Sequence, residues 1–355
     1  MEFLIPLKVT LHYSNMRLYC FLLSWLFVST GFSQDVGFSQ FYDQPLLRNP
    51  ALAGIFTGDV RFTASYRNQW QSVTIPYRTF GLSSEVKMPI NITQDDNLTL
   101  GLQLMRDVAG TSSFSTLQVL PALNYSLPLS RERNAYLSLG FMGGFMQQRF
   151  DPGKLVMNDQ FVAGSNGSFS ILPSSQQVFN NTSVNYFDIS TGLSYNGVIE
   201  EETDYFIGAG LFHITKPKVG FFEGNIITLN KKLAFNGGLS TPTSETDRFI
   251  LYADYFKSAN ISTLQVGAMF SRDLFGDEQQ IITGGLLYRM RDAVIPVIQI
   301  QQFNFMIGIS YDINIDKLAV AAQHRGGFEL TLSYSNFLSR RQNEKRQSLC
   351  PKFRR

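Results

Sequence analysis

The chain has 355 residues, of which 44% are hydrophobic, 14% aromatic and only 16% charged, with a formal net charge of +2. That charge is too small to argue for a nucleic-acid partner, and the charged fraction lies below the roughly 25% of soluble domains. A mean hydropathy of −0.04 does not suit a bundle of membrane helices, whereas 31 Phe and 15 Tyr suit strands with one apolar and one polar face.

In chain order, Lys8 and Arg17 precede an apolar run from Leu18 to Phe32, and Gly31 and Ser33 stand at the −3 and −1 positions before Gln34. This is the pattern of a secretory signal peptide over residues 1–33, cleaved before Gln34, with Met16 as an alternative start. A membrane anchor is the weaker reading, because the run is shorter than the roughly 20 residues of a helical span. A lipoprotein signal at Cys20 is excluded by Arg17, where an aliphatic residue is required. Cys20 leaves with the signal and Cys350 remains alone, so the mature chain has no internal disulfide. Residues 34–58 read as an N-terminal periplasmic segment, in which Asn49-Pro50 demands an extended or turn conformation.

From Asp59 onward, period-two alternation recurs almost without a break. Val60, Phe62, Ala64 and Tyr66 open the series, Leu98 to Leu104 and Leu137 to Phe145 continue it, and Phe328, Leu330, Leu332 and Tyr334 close it. The stripes predict a transmembrane antiparallel β-barrel of outer-membrane type over residues 59–338, with about 14 strands of about 9 to 13 residues. Soluble strands average nearer 5 to 6 residues, which disfavours a soluble sandwich. Many stripes end in Tyr (Tyr66, Tyr125, Tyr195, Tyr255, Tyr288, Tyr311, Tyr334), as an interfacial girdle requires. Backbone groups in lipid must all be paired, so such a sheet has to close.

Polar turns at 94–97, 130–134, 200–203, 243–246 and 276–278 alternate with other, often longer connections, the longest about 150–184. Barrels place short turns in the periplasm, which puts both termini there. Residues 339–355 carry Arg340, Arg341, Lys345, Arg346, Lys352, Arg354 and Arg355 against Glu344; they read as a basic periplasmic tail, either solvated or docking on a partner.

Chemistry is sparse. His213 and His324 have no Cys or carboxylate at ligand spacing, and Asp95-Asp96 and Glu200 to Glu202 sit at turns. No nucleophile elbow or phosphate loop occurs. The expectation is a non-enzyme without cofactor or metal. Gly208-Ala209-Gly210, inside a strand, points to close packing or curvature.

The segment Gln40 to Gly54, ending Asn49-Pro50-Ala51-Leu52-Ala53-Gly54, resembles the signature of the PorP/SprF family of type IX secretion proteins. Tyr66-Arg67-Asn68-Gln69-Trp70, Tyr288-Arg289 with Asp292-Ala293, and Gly308 to Ile313 with Tyr311-Asp312 are similar to further family elements in the right order. So are Gly326 to Tyr334 with Glu329, and the tail Cys350-Pro351-Lys352-Phe353. Asn68 departs from the family, where an acid is common. The resemblance implies an outer-membrane barrel supporting secretion or surface anchoring of a secreted protein or adhesin, recognised through that partner's C-terminal domain. Periplasmic components of the machinery are further implied partners, besides membrane lipid. Asn49, Pro50, Gly54, Arg67, Trp70, Tyr311, Asp312, Glu329, Cys350 and Phe353 become candidate motif or contact residues. Arg67 and Trp70 suit an interface anchor or a lumen plug contact; Glu329 points inward, to pair with Arg289 or Arg325. A passive porin or small-molecule transporter is the competing reading.

Overall fold

The structure, a computed structural model, describes residues 37–69, 75–90, 92–93, 95–164, 168–200, 202–221, 227–315, 325–338 and 351–354. The signal-peptide residues, Trp70, His324 and Cys350 lie outside the described residues, as does the side chain of Arg325.

Fourteen long strands form one closed antiparallel barrel. They are β1 (Val60–Gln69), β2 (Tyr77–Pro89), β3 (Asn97–Ala109), β4 (Phe114–Ser130) and β5 (Ala135–Arg149). After a two-stranded hairpin of β6 (Phe161–Ala163) and β7 (Phe169–Ile171) come β8 (Ser183–Ile199), β9 (Thr203–Phe212), β10 (Lys232–Pro242), β11 (Asp247–Ser258) and β12 (Ile261–Asp273). The ring ends with β13 (Gln280–Arg289), β14 (Ala293–Gln302), β15 (Phe305–Asn314) and β16 (Arg325–Asn336). β1 pairs with β2 on one side and β16 on the other, Val60 opposite both Val86 and Asn336. The sandwich is thereby excluded: no edge is left, as lipid demands.

The strands are 10 to 17 residues long, somewhat longer than the stripes suggest. Alternation decides their facing: on β16, Leu330 and Leu332 are 39% and 47% exposed, while Glu329 and Thr331, each directly before one of them, are 0%. In an isolated barrel an exposed apolar outer surface is the lipid-facing band. Among the described residues no helix is long and apolar enough to cross a membrane.

The five polar turns fall at one end, together with Val60 and Asn336, while the connections 150–182 and 213–231 fall at the other. In the connection after β5, Asp159 accepts bonds from the Gln176 N–H and the Ser175 hydroxyl. These donors hold its carboxyl below the usual carboxylate range.

Two expectations about the chain ends need correction. Residues 37–56 of the supposed periplasmic segment are largely buried against inward-facing residues of strands all round the ring. They therefore lie in the lumen. The described chain begins beside Arg67, near the long-connection end of β1, and descends to Gly54, beside Glu85 near the opposite end of β2. The described start of the chain is thus at the opposite end from Asn336. The physical reason is visible in composition: Phe41, Tyr42, Leu46, Leu52, Ile55 and Phe56 need burial, and the lumen of a 14-stranded ring offers it. The second correction concerns the tail, whose described residues 351–354 pack onto the barrel interior instead of lying free.

Candidate functional site

The site is the plugged lumen, built from the top of the segment downward. At its start, Glu329 of β16 is fully buried and accepts the backbone N–H groups of Ser39 (2.6 Å) and Gln40 (2.8 Å). One carboxylate thus satisfies two donors that burial would otherwise leave unpaired. Beside it, Asp312 of β15 receives the guanidinium groups of Arg67 and Arg289, each at 2.7 Å, and the Ser39 hydroxyl. Arg67 also donates to the Gly37 carbonyl, and Arg289 pairs with Asp292. Glu329 is therefore a lumen-wall acceptor as expected, but its hydrogen-bond partner is plug backbone, not Arg289. Arg289 is held by Asp312.

Further down, Arg48 donates Nε and Nη2 to the two oxygens of Asp254 at 2.6 and 2.7 Å. Its guanidinium lies over Phe41, Phe206 and Tyr252, with centroids at 5.2, 5.4 and 5.7 Å. Tyr42 stacks on Tyr252 at 4.8 Å. A buried ion pair needs such complete coordination to offset desolvation.

Below this, the Asn49 side chain accepts the Ala51 N–H at 2.9 Å and donates to the Leu193 carbonyl at 3.3 Å. The residue is extended (φ −168°, ψ 125°), as a pre-proline position requires. It lies over a row of wall glycines: Gly140 pairs with Gly192, and Gly192 with Gly210. A Cβ on Gly192 would come within 1.8 Å of Asn49 Oδ1, and one on Gly140 within 2.4 Å of the Ala51 nitrogen. The Gly208 and Gly210 motif is therefore close packing, as expected. The Ala51 and Ala53 carbonyls accept from the Ser194 hydroxyl (2.7 Å) and Asn124 Nδ2 (2.6 Å).

At the turn end, Gly54 adopts φ +82°, and its N–H donates to Glu85 at 2.8 Å. Glu85 also pairs with Arg61 at 2.7 Å. Lys87 Nζ donates to the Gly54, Phe56 and Pro351 carbonyls at 3.2, 2.9 and 3.2 Å, joining plug to tail. Phe353 packs edge-on against Phe206 at 5.0 Å, and Arg354 Nε meets Asp204 at 2.7 Å.

Asn49, Pro50, Gly54, Arg67, Asp312, Glu329 and Phe353 thus all belong to this one interior assembly. Tyr311 does not: neighbouring Asp312, it points outward and is 43% exposed, on the lipid face. Sequence reasoning missed Ser39, Arg48, Glu85, Lys87, Asp204 and Asp254. For Lys87 and Asp254 the signal was available: a charge at an inward strand position between apolar neighbours, Val86 and Met88 or Ala253 and Tyr255, needs an interior partner, whereas Ser39, Arg48, Glu85 and Asp204 carry no such pattern.

A closed, lipid-compatible wall around a bound segment of its own chain defines a plugged barrel of outer-membrane type. The family model described as "Type IX secretion system membrane protein PorP/SprF" matches residues 30–334, and the chain belongs to that family. No curated protein matches it in sequence. Among solved structures it is similar to the P. putida toluene transporter TodX (TM-score 0.45, 10% identity, 81% of this chain and 92% of that one). It is also similar to CdiB from Acinetobacter baumannii (0.43, 9%, 78% of this chain, which spans 60% of CdiB). A third is the translocator domain of autotransporter NalP from Neisseria meningitidis (0.39, 13%, 78% and 88%).

Proposed function

We propose that this protein resides in the outer membrane and supports the secretion or cell-surface anchoring of a partner protein by the type IX system, without catalysing a reaction. Family membership supports the system. The observation that carries the mode of action is the plug: residues 37–56 occupy the lumen and bind its wall through Glu329, Asp312, Asp254 and Glu85. A wall rigidified from inside is a scaffold, and a passive pore would need that space for water. In this reading the long connections face outside and the short turns and tail face the periplasm, the usual arrangement of such barrels. Specificity for a secreted protein or adhesin then resides on the long connections and on the rim.

Deletion of the gene, followed by surface proteomics, tests the role. Loss of one or a few type IX-dependent proteins from the cell surface, with the outer membrane otherwise intact, is the expected result. Unchanged surface display, together with steady conductance of the purified protein in planar bilayers, would establish a porin instead.

A further inference from the structure

Outside the lumen, one cluster of charge has no use in the plugged wall. Arg78 on β2, Arg106 on β3 and Arg149 on β5 all project from the outer surface, on the strand face that carries Tyr66, Phe80 and Leu117. The register places them together. Arg78 pairs with Val108, Val108 with Ser115, and Ser115 with Arg149, so two arginines end one row. Arg106 lies in the next outward row, between Phe80 and Leu117. At about 4.8 Å per strand, the row spans roughly 14 Å, within reach of long guanidinium side chains.

With Lys154, these residues line a concavity of about 400 Å³, whose lining also includes Phe80 and Tyr66. Among the described residues that line it the one acid is Asp151, which stands 3.8 Å from Lys154. Lys154 also donates to the Ser113 hydroxyl at 2.8 Å. Among the described residues no carboxylate pairs with Arg78, Arg106 or Arg149, whereas Arg48, Arg61, Arg67 and Arg289 inside the barrel are all matched. Three unmatched guanidinium groups repel one another unless an anion joins them, and planar guanidinium forks suit phosphate.

Position names the anion. The apolar outward stripe of β2 runs from Met88 to Phe80, and Arg78 is the next outward residue. On β3 the stripe Leu98 to Leu104 is followed by Arg106. The cluster therefore stands where hydrocarbon gives way to headgroups, at the end of the barrel that carries the long connections. We propose that Arg78, Arg106 and Arg149 form a binding site for the phosphorylated headgroup of an outer-leaflet glycolipid, whose acyl chains run down the face of Phe80 and Leu104. The leaflet rests on the orientation given under Proposed function; the phosphate chemistry does not.

The test uses the mature protein in detergent, wild type and R78Q/R106Q/R149Q, each first checked for the heat-dependent gel shift of a closed barrel. Each is titrated with phosphorylated lipid A, with the same lipid stripped of phosphate, and with inorganic phosphate, and bound mass is read by native mass spectrometry. One phosphorylated lipid per barrel on the wild type is expected, with binding at least tenfold weaker on the variant and for the stripped lipid. Equal binding by the two proteins, or of the two lipids, overturns the site. Displacement of the lipid by equimolar inorganic phosphate assigns the site to free phosphate and overturns the lipid. Should the triple variant lose its gel shift, R106Q and R78Q/R149Q carry the same comparison. Detergent removes membrane orientation from the measurement, so this result stands apart from surface proteolysis of the 150–182 connection, which tests the orientation.

Discussion

Arg48 and Asp254 are 206 residues apart in sequence and meet inside the barrel in a two-pronged ion pair, Nε to Oδ2 at 2.6 Å and Nη2 to Oδ1 at 2.7 Å. The pair ties the middle of the plug to β11, with Phe41, Phe206 and Tyr252 closing off water around it. Removing one partner strands the other charge. Asp254→Asn or Arg48→Met is expected to cost about 3–5 kcal/mol, and replacing both with apolar residues less than either single change. Thermal melts of the detergent-solubilised variants measure this; a double variant as unstable as the worse single would contradict it.

Glu329 serves two backbone donors at once, so its truncation has a graded signature. Glu329→Ala leaves the Ser39 and Gln40 N–H groups without their acceptor, at about 1–3 kcal/mol each. Glu329→Gln keeps one carbonyl oxygen. Bilayer recordings should show the wild type closed, the Gln variant opening briefly and the Ala variant most often. Silent traces for all three would mean that Glu329 does not hold the plug.

The glycine row beneath Asn49 makes a steric prediction. Gly140→Ala places a methyl group 2.4 Å from the Ala51 nitrogen, where backbone cannot yield cheaply. Lifting of the segment is expected, and with it faster thiol labelling at Ala51→Cys. Gly284→Ala, where nothing lies within 4 Å, should be silent in the same assay.

Phe353 is 7% exposed and caps Phe206 and Tyr252. Phe353→Ala should destabilise by about 3 kcal/mol, the low end for a buried aromatic. Truncation after Phe337 is then expected to lower the melting temperature as well as to affect secretion. A truncated protein that melts like the full chain would return the tail to solvent.

Leu286 on β13 is 59% exposed, in the middle of the outer stripe between Ile282 and Tyr288. Leu286→Arg should cost about 2–4 kcal/mol in liposomes, the penalty of a midplane arginine, and far less at the stripe's end. Equal effects at both depths, read by folding titrations, would argue against a bilayer around this wall.

The wall was legible because its rule is local. Each strand needs only alternating side chains and a polar turn, and every stripe from Val60 to Tyr334 lies on a strand of the ring. The plug was half legible. Asn49, Pro50 and Gly54 stood out as a motif, and Glu329 as an inward acid, yet nothing in the chain order says that positions 289 residues apart touch. Asp254 shows in the chain as an inward charge in need of a partner, but only the lumen identifies that partner as Arg48.

By itself, then, the sequence determined the class of protein: alternation with apolar residues on one face forces a sheet that closes in lipid, and its repeats set the strand number. The tertiary structure alone decided what fills the ring. Placement of residues 37–56 and 351–354 inside depends on complementary charges and glycine gaps contributed by strands far apart in the chain. Such three-dimensional matching leaves no periodicity along the chain.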